Sequence, residues 1–444
     1  LNPDVQVRFT REVLAAALRS EVVGPAEDPQ IQLSFALEPL LGFLEPQRAA
    51  IEFAPVDAQV VIRPDDTPAV IPGRSALLID EDALAGAVQA AASVRSRSGP
   101  FPYKEGAEPD LTTAEAEDLG IKELISYHDG DVCCTTFYTP GGDEKNQNRV
   151  HNIQLMADTV NGAIVMPGET FSLNDYVGQR TVEKGYRPAG AIIGPIIECC
   201  DDPANIGGGV SQFTTTLYNA VFWSGLEDVK HTPHTLYISR YPEGLEATLG
   251  WPEPDLVFRN NTAAAVYIKT EHTADSITVK FFGDNGGIRV SMERSERSYP
   301  TQPQDYFEPD PTVTPGEERV DTEGTPGFTV TVFRTITYPN GTETTEQWTW
   351  RYDPWPNRVS VHPCDLPPYP ACPSGVPDLY GLGPVQAGNR LQAVDLILVN
   401  AGTEPTSNPD LDGKVVRQSP AAGALLDPDG QVQVWFGVYT EGGG

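Results

Sequence analysis

The chain has 444 residues, with 62 acidic side chains against 30 basic ones and a formal net charge of −32 at pH 7. A surface that negative repels nucleic acid and anionic lipid headgroups, which argues against direct binding to either and fits solubility in a salty or extracellular setting. The length allows roughly two to four domains with separate cores, and no apolar run reaches the length of a membrane span. No signal peptide is visible, and Leu1 in place of Met suggests that an upstream signal or anchor has been trimmed. Membrane contact is expected only through such an anchor.

In chain order, Thr10 is placed to cap a helix carrying Val13, Leu14, Ala17 and Leu18 on one face. Gln59-Val60-Val61-Ile62 reads as a short, mostly buried strand, followed by a hairpin turn at Asp65-Asp66-Thr67-Pro68. Asp80 or Asp82 opens a second helix with Leu84, Val88 and Ala91 inward, and a third short helix spans Thr112 to Leu119. A further helix carries Val150, Ile153, Ala157 and Val160, which leaves His151 toward the surface.

The 6 cysteines fall in pairs: Cys133-Cys134, Cys199-Cys200, and Cys364 with Cys372. An even count in a chain rich in Pro and Gly fits disulfides and an oxidising compartment. Cys364 and Cys372 bracket a proline-stiffened loop that one bond would close. Bonding sequence neighbours strains the backbone, so Cys133 and Cys134 are expected to pair across with Cys199 and Cys200. The competing reading of those four is a tetrathiolate zinc site, against which their vicinal spacing counts.

The most informative stretch is Gly207-Gly208-Gly209-Val210-Ser211-Gln212, running into Phe213, Leu217, Ala220 and Val221 at helical spacing, with Gly225 placed to end the helix. A glycine loop feeding a helix start gathers unpaired N–H groups around one spot, where the helix dipole favours a nucleophile. Here that residue is Ser211. Downstream, His234 opens an expected strand, His234-Thr235-Leu236-Tyr237-Ile238. Glu246 lies by a second, Ala247-Thr248-Leu249, after the Pro242-Glu243-Gly244 turn. In this arrangement His234 would take the proton of Ser211 while Glu246, or alternatively Asp255, orients the imidazole. Gln212 and the backbone of Gly207, Gly208 and Gly209 would hold an oxyanion. His231-Thr232-Pro233-His234 has the look of a metal clip, but a proline between histidines so close argues against it. No metal and no cofactor is expected.

After Asp284 the chain is strand-rich. Phe328-Thr329-Val330-Thr331-Val332 and Gln347-Trp348-Thr349-Trp350-Arg351-Tyr352 alternate in type around a hairpin signal at Pro339-Asn340-Gly341-Thr342. Trp348 and Trp350 could form a sugar platform, although on a ribbon such rings more often simply cover the strands.

Residues from about Thr135 to Asp284 resemble the VanW family, named for an accessory protein of vancomycin-resistance clusters. The resemblance rests on Arg149 to Gly162, Met166-Pro167-Gly168-Glu169-Thr170-Phe171-Ser172, Gly178-Gln179-Arg180-Thr181 and the triple glycine with Ser211-Gln212. It continues through Thr215 to Ala220, His234-Thr235, Tyr241-Pro242-Glu243-Gly244 and Asp255 to Asn260. The family pattern usually has cysteine where Ser211 stands. Residues 51–132 resemble the peptidoglycan-binding module that commonly precedes VanW regions, with 1–50 as the tail of an earlier copy; a generic α+β spacer is the alternative. Gly324 to Tyr352 resembles the glycine-containing β-ribbon modules that follow VanW regions. Val376-Pro377-Asp378-Leu379 with Gly381, Gln418-Ser419-Pro420-Ala421-Ala422-Gly423 and Val432 to Phe436 resemble a PASTA domain, which departs from its family in a long insert from Asn400 to Asp412.

The expected architecture is therefore α+β and multidomain. It comprises N-terminal modules (1–50 and 51–132), a transglutaminase- or papain-like VanW domain (133–290) and a β-ribbon module (291–363). A disulfide and proline linker (364–375) and a PASTA domain (376–438) complete it. The resemblance implies an extracellular or surface-anchored protein that binds peptidoglycan or muropeptides, with a degenerate catalytic core. The alternatives are an envelope hydrolase or acyl-transferase using Ser211, His234 and Glu246, and a structural assembly or adhesion component meeting other envelope proteins.

Overall fold

The computed structural model describes residues 5–128, 131–132, 134–193, 196–198, 206–366 and 372–440. The expected mixed α and β character is present throughout, divided among separate hydrophobic cores.

Thr10 caps the helix Arg11–Ala17, its hydroxyl accepting the Val13 amide at 3.3 Å. Leu18 does not extend this helix, contrary to expectation. Its backbone turns extended and begins the strand Leu18–Val23, paired antiparallel with Gln30–Phe35. The β-branched Val22 and Val23 favour that ladder over another helical turn. Asp80, rather than Asp82, caps the helix Glu81–Ser93 through the Ala83 amide. Ala17, Leu40 and Leu44 pack with Ile51, Ile79, Leu84 and Val88, so the segment before residue 51 and the one after it share a core. Thr112 and Glu115 close a reciprocal capping box at the helix Thr113–Asp118. At the tip of the hairpin Gln59–Ile62/Pro68–Ile71, Asp66 accepts two bonds from Lys280, at 2.9 and 2.8 Å, and so ties this region to the central sheet.

The central sheet runs Thr135–Phe137, Ser276–Gly283, Val266–His272, Ala163–Val165, with Glu123–Leu124 also on Ser276–Gly283. Against it pack the helices Glu144–Val160 and Val210–Ser224. The second is buried on nearly every side. Its buried threonines are tolerated because they find partners inside the core: Thr214 donates to the Val210 carbonyl at 3.1 Å and Thr216 to that of Gln212 at 2.8 Å. Gly225, at φ +71°, ends the helix in the left-handed region, as expected.

Two expected strands are not strands. His234 to Ile238 makes a single bridge, Leu236 to Asp353, and Ala247 to Leu249 joins no ladder. Pro233 has no amide to give, and the second segment is held by side chains instead.

The ribbon module is built on the hairpin Gly327–Thr337/Glu343–Tyr352, flanked by Arg289–Arg294 and Ser298–Thr301. Next to it, Asn357–Val361 pairs in parallel with Asp305–Pro309 and antiparallel with Glu318–Thr322. In the last domain the helix Pro384–Gln392 packs on Ile397–Thr406, Gln431–Tyr439 and Val415–Ser419 around Leu379, Leu391, Val415, Val432 and Val434. The long insert is largely ordered: Ile397–Thr406 continues as strand through its first part, parallel to Gln431–Tyr439.

Cys364 and Cys372 form the expected disulfide, with Cα atoms 4.6 Å apart. Cys134 is disulfide-bonded too, which excludes it from a tetrathiolate zinc site. Cys133, Cys199 and Cys200 lie outside the described residues.

Candidate functional site

Both ends of the glycine loop require glycine. Gly207 and Gly209 sit at φ +87° and +97°, where a side chain is strained. A Cβ on Gly208 would fall 2.4 Å from the Ala189 carbonyl oxygen, and one on Gly209 2.5 Å from Arg149 Cγ. The loop delivers the chain into the helix at Val210, so Ser211 is the second helical residue and stays partly exposed.

Three polar side chains at four-residue spacing, Ser211, Thr215 and Asn219, form a stripe along this helix. Ser211 Oγ accepts the Leu249 amide at 3.2 Å. Thr215 Oγ1 donates to the Ala247 carbonyl at 3.0 Å and accepts its amide at 3.2 Å. Asn219 Nδ2 donates to the Leu245 carbonyl at 2.9 Å. Alternate residues of the extended segment 245–249 thus hang on the helix, in place of a β-ladder.

Glu246 lies between two of those anchors, and its Oε2 is 3.0 Å from His234 Nδ1. The carboxylate is fully buried and the imidazole 9% exposed. Burial pushes the Glu246 carboxyl above the usual carboxylate range, with the His234 contact opposing it. Glu246 Oε1 is buried without a hydrogen-bond partner. The His234 ring stacks on Tyr241 at 5.3 Å, nearly parallel. Among the described residues, no hydrogen bond joins Ser211 to His234.

Gln212 is spent: its Nε2 donates to the Phe137 carbonyl at 2.8 Å and to Thr136 Oγ1 at 3.2 Å, and its Oε1 accepts from Arg149. Asp255 shares no hydrogen bond or ion pair with His234 among the described residues. It accepts from Ser172 Oγ at 2.7 Å and from the Asn174 and Leu256 amides at 2.9 and 2.8 Å, so it fixes a turn. His231 pairs with Asp228 at 2.7 Å and stacks on Tyr218 at 3.9 Å. The two histidines therefore serve different carboxylates and do not converge on one site.

Sequence reasoning missed Arg149 and Tyr241. Burial draws the Arg149 guanidinium below its ordinary range and raises the Tyr241 hydroxyl, with each partly compensating the other. No acidic partner of Arg149 occurs among the described residues. Its helix neighbours carry an ordinary amphipathic pattern, so only the close approach of Gly209 marks the position.

Residues 148–282 match the family model described as VanW like protein, 292–352 that of the G5 domain, and 375–438 that of the PASTA domain. The chain is 35% identical over 143 residues to the uncharacterized protein YoaR of Bacillus subtilis, covering 32% of this chain and 46% of that protein. It is 28% identical over 183 residues to the vancomycin B-type resistance protein VanW of Enterococcus faecalis, covering 38% of this chain and 62% of that one. The chain thus spans about half the length of the curated relatives it matches. Among solved structures, the crystal structure of HP0197-G5 aligns at 13% identity over 17% of this chain and 96% of that one, with a TM-score of 0.11. The IgA1 protease G5 domain aligns at 22% identity over 18% and 96%, with a TM-score of 0.12. PASTA and G5 domains are typically carbohydrate- or peptidoglycan-related binding modules and suggest a cell-surface protein. No helix among the described residues is long and apolar enough to cross a membrane. The chain thus carries a central region that matches the VanW family, followed by a G5 domain and a C-terminal PASTA domain, a combination that fits association with the cell wall.

Proposed function

We propose that this is a bacterial cell-envelope protein that binds peptidoglycan or its stem peptides and whose central domain holds ligand without turning it over. The observation that carries the reading is the state of the Ser211 hydroxyl. It accepts the Leu249 amide at 3.2 Å and shares no hydrogen bond with His234. A hydroxyl gains far less than a thiol from a helix start and depends wholly on its base, so a serine detached from its histidine is a poor nucleophile. Gln212, already engaged at both ends of its amide, has no donor left for an oxyanion. The face formed by Gly207 to Gln212, His234 and Glu246 would then serve recognition, and the PASTA and N-terminal modules would hold the protein at the wall.

One observation favours a second reading. The His234–Glu246 contact at 3.0 Å would supply the base and its orienting carboxylate in a transglutaminase- or papain-like site. Movement of the segment 245–249 would free Ser211 for an envelope hydrolase or acyl-transferase acting on wall peptide bonds. Titration of purified muropeptides against the wild type, Ser211→Ala and His234→Ala, with product analysis, separates the two. Binding without product in all three proteins is expected. Product formed by the wild type and lost in both variants would overturn the binding reading in favour of the enzyme.

A further inference from the structure

Away from the Ser211 face, a cavity of about 830 Å³ opens where the central domain meets the ribbon module. Its walls are set before any ligand arrives. A Cβ on Gly324 would stand 2.2 Å from the Trp355 carbonyl oxygen, and one on Gly327 2.5 Å from that of Tyr352, so the two backbones meet with no side chain between them. Trp355 is fixed at both ends: its amide donates to the Thr325 carbonyl and its indole Nε1 to that of Tyr237, each at 3.0 Å. Tyr237, Phe328 and Trp355 supply aromatic surface to the lining.

The charges in this cavity do not balance. Arg297 is taken by Glu243, at 2.7 and 3.2 Å, and lies over the Phe328 ring at 4.0 Å. Arg358 is taken by Glu308 at 2.5 Å. Glu323 and Asp353 also line the cavity, and neither carboxylate has a hydrogen bond or ion pair among the described residues. Both guanidinium groups are thus neutralised, and two carboxylates remain beside aromatic walls. Both carboxylates are exposed and hydrated, so they set the sign of the charge at the cavity mouth: an anionic ligand is repelled and a cationic one attracted. A cation on an apolar stem fits both features, its methylenes against the aromatic lining and its ammonium toward Glu323 and Asp353.

We propose that this cavity binds the basic side chain of a peptide, an alkylammonium carried on an apolar stem. The site is separate from the Ser211 face and stands or falls without it. The test is calorimetric titration of the whole chain with the peptide acetyl-Ala-Lys-Ala-amide and with the same peptide acetylated on the lysine Nζ. The double variant Glu323→Gln, Asp353→Asn is titrated alongside, its fold checked by circular dichroism. Binding of the lysine peptide, its loss on acetylation, and a weakening of about tenfold in the variant are expected, the last matching one charge-assisted hydrogen bond. Equal binding of the acetylated peptide overturns the proposal. So does an affinity unchanged in the folded variant, which would place the lysine elsewhere on an acidic surface. Absence of binding of the lysine peptide at about 10 mM also overturns it.

Discussion

Replacing Arg334 with methionine should loosen the ribbon module from the helix that carries Ser211. Arg334 lies on the strand Gly327–Thr337 and is fully buried. Its Nη1 donates to the carbonyls of Leu226 at 3.1 Å and Phe222 at 3.3 Å, at the C-terminal end of the helix Val210–Ser224, where a cation is favoured by the dipole. The guanidinium also stands 5.3 Å from the Phe222 ring and 5.4 Å from that of Trp348. Methionine keeps the apolar stem and removes these contacts. The Phe222 carbonyl retains the Gly225 amide at 3.3 Å, so the larger loss falls on Leu226. One buried carbonyl left without this donor costs about 1–3 kcal/mol, and each ring contact contributes about 0.5–1 kcal/mol. Together these give a destabilisation of about 2–5 kcal/mol. The Glu346 carboxylate also accepts from Arg334, at 2.7 Å, but its side chain is 42% exposed. Glu346→Gln keeps an oxygen able to accept this bond and should therefore cost less than Arg334→Met. Urea unfolding of the whole chain followed by tryptophan fluorescence measures both. A cost below about 1 kcal/mol for Arg334→Met, or an equal cost for Glu346→Gln, would refute the assignment of the energy to the helix carbonyls.

Ser211→Ala removes the acceptor of the Leu249 amide and should destabilise by about 1–2 kcal/mol in the same assay; no effect would mean that the hydroxyl does not anchor the segment. Gly208→Ala, whose Cβ would meet the Ala189 backbone at 2.4 Å, should cost more than about 3 kcal/mol or prevent folding. Gly388→Ala meets nothing within 4 Å inside the helix Pro384–Gln392 and should instead stabilise by about 0.5–1 kcal/mol in thermal denaturation. Burial raises the Glu246 carboxyl above its reference of 4.5, so the folded chain holds that proton more tightly than the unfolded one. The stability this group lends is greatest below the unfolded pKa and declines as pH rises through the folded one. Glu246→Gln cannot show that decline, so as pH rises above the reference of 4.5 the variant should gain on the wild type; parallel pH curves would contradict it.

Where local chemistry suffices, the sequence is a good guide. The cap Thr10, the short helix beginning near Thr112, the hairpin at Pro339–Thr342 and the glycine stop at Gly225 all appear as read, because each involves groups only a few residues apart. The helix after the triple glycine was legible for the same reason, with Ser211 placed at its start. The approach of His234 to Glu246 was anticipated, whereas the expected strands bearing them are absent. Their backbones are held by Thr215, Asn219, Ser211 and the Asp353 amide, which are distant in sequence. Nothing in the local pattern distinguishes a segment hung on side chains from one in a ladder.

Periodicity, turns and caps thus determined which segments become helix or ribbon, since those preferences depend on backbone sterics and on bonds closed within a turn or two. The tertiary structure alone decided the partners: Gln212 bound on all sides, Asp255 assigned to a turn, Arg149 lodged against Gly209 with no acid among the described residues, and Arg334 bridging two modules. Such pairings follow from which surfaces the packed cores bring together. A buried polar group then bonds whatever lies within reach, however far away it stands in the chain.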